Sequence, residues 1–224
     1  RLTHINVIWA VSMATSVPAA YVSGDLYDVI SMPDNSMLAY VADVSDKGVP
    51  AALIMAALST RIRSVSQTQT EIDKILASVN TSLYNLISEE GFFATIVLLK
   101  YWPASGKMEL ALGGHLHPLW ILDGDVGHLP QLDGISLGIT PHARFEKKEI
   151  TLSPGESIPL FLDGLDEDEN VDKQLFGNDR LIQFIKKKSK PPTGQALLEE
   201  IENWRENARI NDDLTLLEIW RDPV

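Results

Sequence analysis

The sequence predicts an α+β domain built on mainly antiparallel sheets, and three observations carry that prediction. Apolar strand-like runs come in hairpin-linked groups, the helical runs come in two pairs, and the chain closes on a strand, "LTLLEIW". Repeated βαβ units would instead alternate single strands with single helices. A chain of 224 residues, 45% hydrophobic and 22% charged, can bury a full core. It shows no internal repeat and no Ser/Gly linker, so one domain over residues 1–224 is expected.

Each element has its own signal. Ile5, Val7, Trp9, Val11 and Met13 alternate with their neighbours at the period of a strand. "LYDVISM", a "PDNS" turn and "MLAYVADV" read as a hairpin. "VPAALIMAALSTRIRSV", from Val49 to Val65, is rich in Ala and Leu with Pro50 in its first turn, which predicts a helix. In "TEIDKILASVNTSLYNLI" the residues Ile72, Ile75, Leu76, Val79, Leu83, Leu86 and Ile87 repeat at helical spacing, with Thr70 as the expected cap. Strands follow at "FFATIVLLKYW", "KMELALGG", "HPLWILD", "RFEKKEITL" and "SIPLFLDG", with turns at "PASG" and "LDGD". The last third is helical at "NDRLIQFIKKK" and "GQALLEEIENWRENA".

Composition excludes several functions. No apolar run reaches the ~18 residues that suggest a membrane span. The start, "RLTHINVIWAV", has no small-residue cleavage site after its apolar part, so no signal peptide is expected. It begins without Met, and a fragment of a longer protein is expected. Zero cysteines remove disulfides, a thiol nucleophile and Cys-based zinc sites, in keeping with a cytoplasmic location. The formal charge of -12 opposes binding to nucleic acid and to anionic lipid. The excess acid is either spread over solvated faces or concentrated to hold divalent cations.

Four places share one pattern, a carboxylate at the edge of an apolar strand beside Gly or a polar turn. They are Asp25 in "SGDLYD", Asp43 in "ADVSDKG", Asp163 in "LFLDGLD", and Asp212 with Asp213 in "INDDLTLLEI". Any single strand-end Asp is common as a turn cap. Several gathered together would repel one another unless a cation neutralised them. Oxygen-only ligands favour Mg²⁺ or Mn²⁺. Two other patterns fail. Asp166, Asp168 and Asn170 imitate a calcium loop, but Val171 and Gly177 stand where it needs Gly and Glu. His115 and His117 in "HLH" could suggest zinc or a general acid, and are set aside.

The motifs "SGDLYD", "VADVSDKGVPAALIMAAL", "FFATIVLL", "LALGGHLHPLW", "ISLGI", "LSPGESIPLFLDGL", "LFGNDRL" and "DDLTLLEI" occur in an order that resembles the metal-dependent protein phosphatase 2C superfamily. The match is nearest to its bacterial SpoIIE-like branch, from about Val11 to Ile219. The resemblance implies an αββα sandwich of two mainly antiparallel sheets flanked by helices. It also implies that Asp43 bridges two Mn²⁺ or Mg²⁺ ions and that the carbonyl of Val44 binds one of them. Asp163 and Asp212 would complete the other metal site, and Asp25 would lie beside it, directly or through water. Asp43, Asp163 and Asp212 are then the catalytic carboxylates.

Two such ions activate a water that attacks a phosphoserine or phosphothreonine in line. The implied substrate is a phosphorylated signalling protein of the anti-sigma-factor antagonist type, with a sensor or receiver domain upstream and a homodimer left open. The helices after Asp43 are implied regulatory elements. Three positions depart from the family pattern. Asp46 stands where the family has Gly in "DVSGKG", and is read as a solvated turn acid or a helix cap. Ser23 replaces the first Gly of a GGD motif. Leu162 replaces a hydroxyl residue, ahead of the acidic "LDEDEN". That altered segment keeps a second reading open, a catalytically silent phosphatase-fold module that binds a partner. A nuclease with a similar metal pair is disfavoured by the acidic charge.

Overall fold

The computed structural model describes residues 3–7, 10–17, 25–87, 91–115, 118–122, 125–129, 132–162, 168–188, 194–206, 208 and 214–222. The architecture is α+β, with two antiparallel sheets and four helices, as the sequence predicts. The chain divides into two compact units that interleave along the sequence. One comprises residues 1–21, 118–129 and 152–224, the other residues 22–117 and 130–151.

The first unit holds β1 (Thr3–Val7), β2 (Ala10–Val17), β7 (Leu119–Leu122), β8 (Asp125–His128), β10 (Ser157–Phe161) and β11 (Leu214–Trp220), in the sheet order β1-β2-β11-β10-β7-β8. The final strand in sequence therefore runs through the interior of its sheet, and every residue of β11 is buried. The expected N-terminal strand is two strands, with Val7 opposite Ala10. Its period-two pattern runs through with no Gly or Pro at the reversal, so nothing there announced it. Helices α3 (Gly177–Lys188) and α4 (Gly194–Arg205) belong to this unit and share a core with the sheet. Leu181, Phe184, Ile185, Leu197 and Ile201 pack with Phe161, Leu214 and Leu216.

The second unit holds β3 (Asp25–Ser31), β4 (Met37–Val44), β5 (Ala94–Trp102), β6 (Lys107–Gly113) and β9 (Lys147–Thr151), in that spatial order. The predicted hairpin is β3 and β4. Helices α1 (Val49–Ser66) and α2 (Ile72–Ile87) cover one face. Leu38, Tyr40, Ala42 and Val44 of β4 meet Ile54, Leu58, Ile62, Ile75, Leu76 and Val79 there. Side chains alternate along a strand, so Ala39, Val41 and Asp43 project from the opposite face.

Two capping expectations change. Helix α2 begins one residue later than Thr70 would set, because its first hydrogen bond runs from Ile75 N–H to the Glu71 carbonyl. Gln69 Oε1 instead accepts the N–H groups of Thr70 and Glu71. Helix α1 is capped by Gly48, at φ 90° with no side-chain bond, and Pro50 occupies its first turn as expected. No helix among the described residues is long and apolar enough to cross a membrane.

Candidate metal centre

Asp25 and Asp43 are brought together by strand register. In the β3–β4 ladder Asp25 stands directly opposite Asp43, and Asp43 stands opposite Thr95 of β5. The three form one row across the sheet. Since Leu26 and Ala42 turn toward α1 and α2, the row lies on the face away from those helices. The hydrogen-bond phase fixes how close the two acids come. Ser45 N–H donates to the Phe93 carbonyl at 2.9 Å, and Ala94 exchanges both of its bonds with Leu137, at 3.0 and 2.8 Å. The Val44–Ala94 pair is thus non-bonded across β4–β5, and Asp43 directs its backbone groups to Thr95. Asp25 and Asp43 consequently form the non-hydrogen-bonded type of antiparallel pair, in which side chains approach most closely.

The same phase turns the carbonyl of Val44 away from β5, toward the side on which β3 begins at Asp25. Two half-buried carboxylates therefore face one another at the end of the described ladder, with the Val44 carbonyl directed to the β3 side. Like charges directly opposite in a ladder are destabilising, and a divalent cation removes that cost. The donor set is oxygen only, which suits Mg²⁺ or Mn²⁺. On this chemistry the residues fit the implied metal. Among the described residues no group of three or more His, Cys, Asp or Glu gathers as a complete site. Asp163, Asp212 and Asp213 lie outside the described residues, as do Ser23, His117 and Asp166. The segments next to Asp163 and Asp212 in sequence are paired. Phe161 is opposite Leu216, and Leu162 N–H donates to the Thr215 carbonyl at 3.2 Å.

This end of the ladder is held by contacts that the sequence did not announce. Thr95, within "FFATIVLL", received no role from the sequence, yet it is Asp43's neighbour across the ladder. The "GGH" motif meets the start of the "ISLGI" segment: Gly114 N–H donates at 2.9 Å to the carbonyl of Gly134, which immediately precedes Ile135. Gly114 has φ 70°, and a Cβ there would fall 2.1 Å from Ser136 Oγ and 2.7 Å from its Cα, which leaves no room for a side chain. Asn80 of α2 ties this loop down by donating to the Thr140 carbonyl at 2.8 Å and accepting Gly138 N–H at 3.0 Å.

Asp46 is no helix cap. It sits at φ 73°, exposed, with Oδ1 accepting the N–H of Lys47 at 2.8 Å. The left-handed angle is one that glycine adopts without cost and that Asp tolerates better than most residues. The "LDEDEN" departure also has a structural use. Leu162 is fully buried, and Asp168, 2% exposed, pairs with Arg205 of α4 at 2.9 Å. Asn170 Oδ1 accepts the N–H groups of Asp172 and Gln174, so it serves a turn rather than a cation.

The family model described as Stage II sporulation protein E (SpoIIE) matches residues 33–222. The chain belongs to the SpoIIE family. Relatives of this SpoIIE-family chain include Protein IcfG of Synechocystis sp., 24% identical over 96% of the chain and 38% of that protein. Phosphoserine phosphatase RsbU of Bacillus subtilis is 28% identical over 69% of the chain and 46% of that protein. The chain thus spans less than half the length of either relative.

Three solved structures share the fold. The RsbU and RsbW domains of Rv1364c from Mycobacterium tuberculosis match with a TM-score of 0.80 and 22% identity, over 96% of this chain and 61% of that one. The PP2C phosphatase domain of SpoIIE from Bacillus subtilis, solved with a fragment of its regulatory domain, matches with a TM-score of 0.79 and 16% identity, over 96% and 62%. RsbX, crystallised in complex with magnesium, matches with a TM-score of 0.73 and 15% identity, over 99% and 100%. The fold of this SpoIIE-family chain is PP2C-like.

Proposed function

We propose that residues 1–224 are the catalytic domain of a metal-dependent serine/threonine phosphoprotein phosphatase. The observation that carries this reading is the close facing pair Asp25–Asp43, next to the Val44 carbonyl that the ladder directs away from β5. Membership of the SpoIIE family supports it, as do the name of the phosphoserine phosphatase relative and the magnesium bound to RsbX. In this reading Asp43 would serve both of two Mn²⁺ or Mg²⁺ ions, and the Val44 carbonyl would serve one of them. Asp163 and Asp212 serve the other, with Asp25 alongside.

The ions, when bound, supply an activated water and neutralise charge on the phosphoryl oxygens. The chain's own part is positional: an interior strand and its ladder hold Asp43 rigidly, and Thr95 flanks it. The substrate is a phosphorylated signalling protein of the anti-sigma-factor antagonist type, acted on in the cytoplasm. The occurrence of RsbU and RsbW domains together in the mycobacterial structure supports that partner class. A sensor or receiver domain upstream is part of the same proposal.

Titration calorimetry with Mn²⁺ tests the site without relying on turnover. Wild type is expected to bind two ions per chain. Asp43→Asn is expected to lose at least one, with its circular dichroism unchanged. A folded wild-type chain that takes up no metal would overturn the reading.

A further inference from the structure

Helices α3 and α4 of the first unit enclose an open groove of about 510 Å³, within the range of ligand sites. Its floor is aromatic. Phe176 meets Trp204 edge to face, centroids 6.4 Å apart at 72°, and Phe184 lies beside them. Its α3 wall is basic. Arg180 and Lys187 are seven residues apart, two turns along one helix face, and both are exposed.

The Arg180 guanidinium lies 3.7 Å from the centroid of the Trp204 ring. A guanidinium held over a ring face keeps N–H donors for a carboxylate. Among the described residues no carboxylate pairs with Arg180 or Lys187. The indole Nε1 of Trp204 is buried and likewise has no acceptor among the described residues. Helix α3 carries four basic residues and one acid, in a chain of formal charge -12.

We infer that this groove docks a short acidic segment of a partner protein, with Asp or Glu residues along α3 and one aromatic or aliphatic side chain on the Phe176–Trp204 floor. Charge selects the partner class. The screening length at physiological salt is about 8 Å, so a short segment feels mainly the basic wall. A nucleic acid long enough to pass beyond it meets the acidic remainder of the molecule. Arg and Trp are also residue types that dominate binding energy at protein interfaces. Glu200 lines the opposite wall and is the carboxylate there. It would repel acid on the α4 side, which places the ligand's charges against α3.

The test is selection of a random 12-residue phage library on the immobilised chain, followed by anisotropy titration of the enriched peptide carrying a fluorophore. The inference expects enriched sequences with several Asp or Glu around one Phe, Trp or Leu. It also expects about tenfold or more weakening in Arg180→Glu and in Lys187→Glu, since a tenfold change needs only about 1.4 kcal/mol. Trp204→Phe should weaken binding and Glu200→Gln should strengthen it, with unfolding midpoints held within a few degrees. Several results would overturn the inference. They are no enrichment over blank support, enrichment of neutral or basic peptides, and equal affinity for wild type and folded Arg180→Glu. Displacement by a 20-nucleotide DNA more readily than by unlabelled peptide would overturn it as well.

Discussion

Asp46 interrupts a motif that carries glycine in the resembling family, and its φ of 73° supplies the reason glycine is usual there. A residue with a Cβ costs up to roughly 1–2 kcal/mol in the left-handed region, less for Asp and Asn, whose short polar side chains bond locally. The bond from Lys47 N–H to Oδ1 is such a contact. Asp46→Gly should therefore leave stability within about 1 kcal/mol of wild type, whereas Asp46→Val should lower it by about 1–2 kcal/mol. Urea unfolding without metal measures both, and equal effects of the two substitutions would remove this account of the turn. The sequence alone showed that Asp46 was unusual. It could not show the angle, because Asp occupies turns of many geometries.

At the scale of elements, Lys100 of β5 ties two connections together. It is nearly fully buried, donates to Asp34 Oδ2 in the β3–β4 turn at 2.6 Å, and donates to the Thr70 carbonyl before α2 at 2.7 Å. Burial pushes the Asp34 carboxyl up, but the Lys100 ammonium and the bonds from Ser36 outweigh it, and the net shift is downward. A depressed carboxyl contributes stability above its unfolded value of about 3.8 and loses it as pH falls through the lower folded value. Below pH 4 wild type should therefore lose more stability than Asp34→Asn, read from urea midpoints at pH 6, 4 and 3. Parallel losses in the two proteins would show that the pair has no linked role.

Legibility varied among the elements for physical reasons. β11 was read to the residue, since polar "INDD" and the charged tail bound it. β8, "DVGH", escaped because four residues with a central Gly carry no period. Helix α1 was legible from Pro50 and its Ala content. Its apolar residues do not confine themselves to one face, however, and Leu53 stands 67% exposed.

At the scale of the molecule, the sequence contained the fold class and the list of acids but not their register. The separation of Asp25 and Asp43 by eighteen positions says nothing of facing one another; only the hairpin ladder does. Thr95 and the loop bonded through Asn80 and Gly138 were invisible for the same reason, being non-local. The acidic charge of -12 is consistent with a molecule that attracts divalent cations and repels polyanions, and the account rests on where a few of those acids converge.

The most direct test of that convergence is hydrolysis of p-nitrophenyl phosphate with Mn²⁺, with and without chelator, for wild type and Asp43→Asn. The account predicts turnover that chelator stops and that the substitution lowers by at least a hundredfold, about 2.7 kcal/mol of transition-state stabilisation. Turnover that survives both chelator and Asp43→Asn would contradict it. A folded wild-type chain that binds Mn²⁺ but shows no turnover would point instead to a binding module on the phosphatase fold.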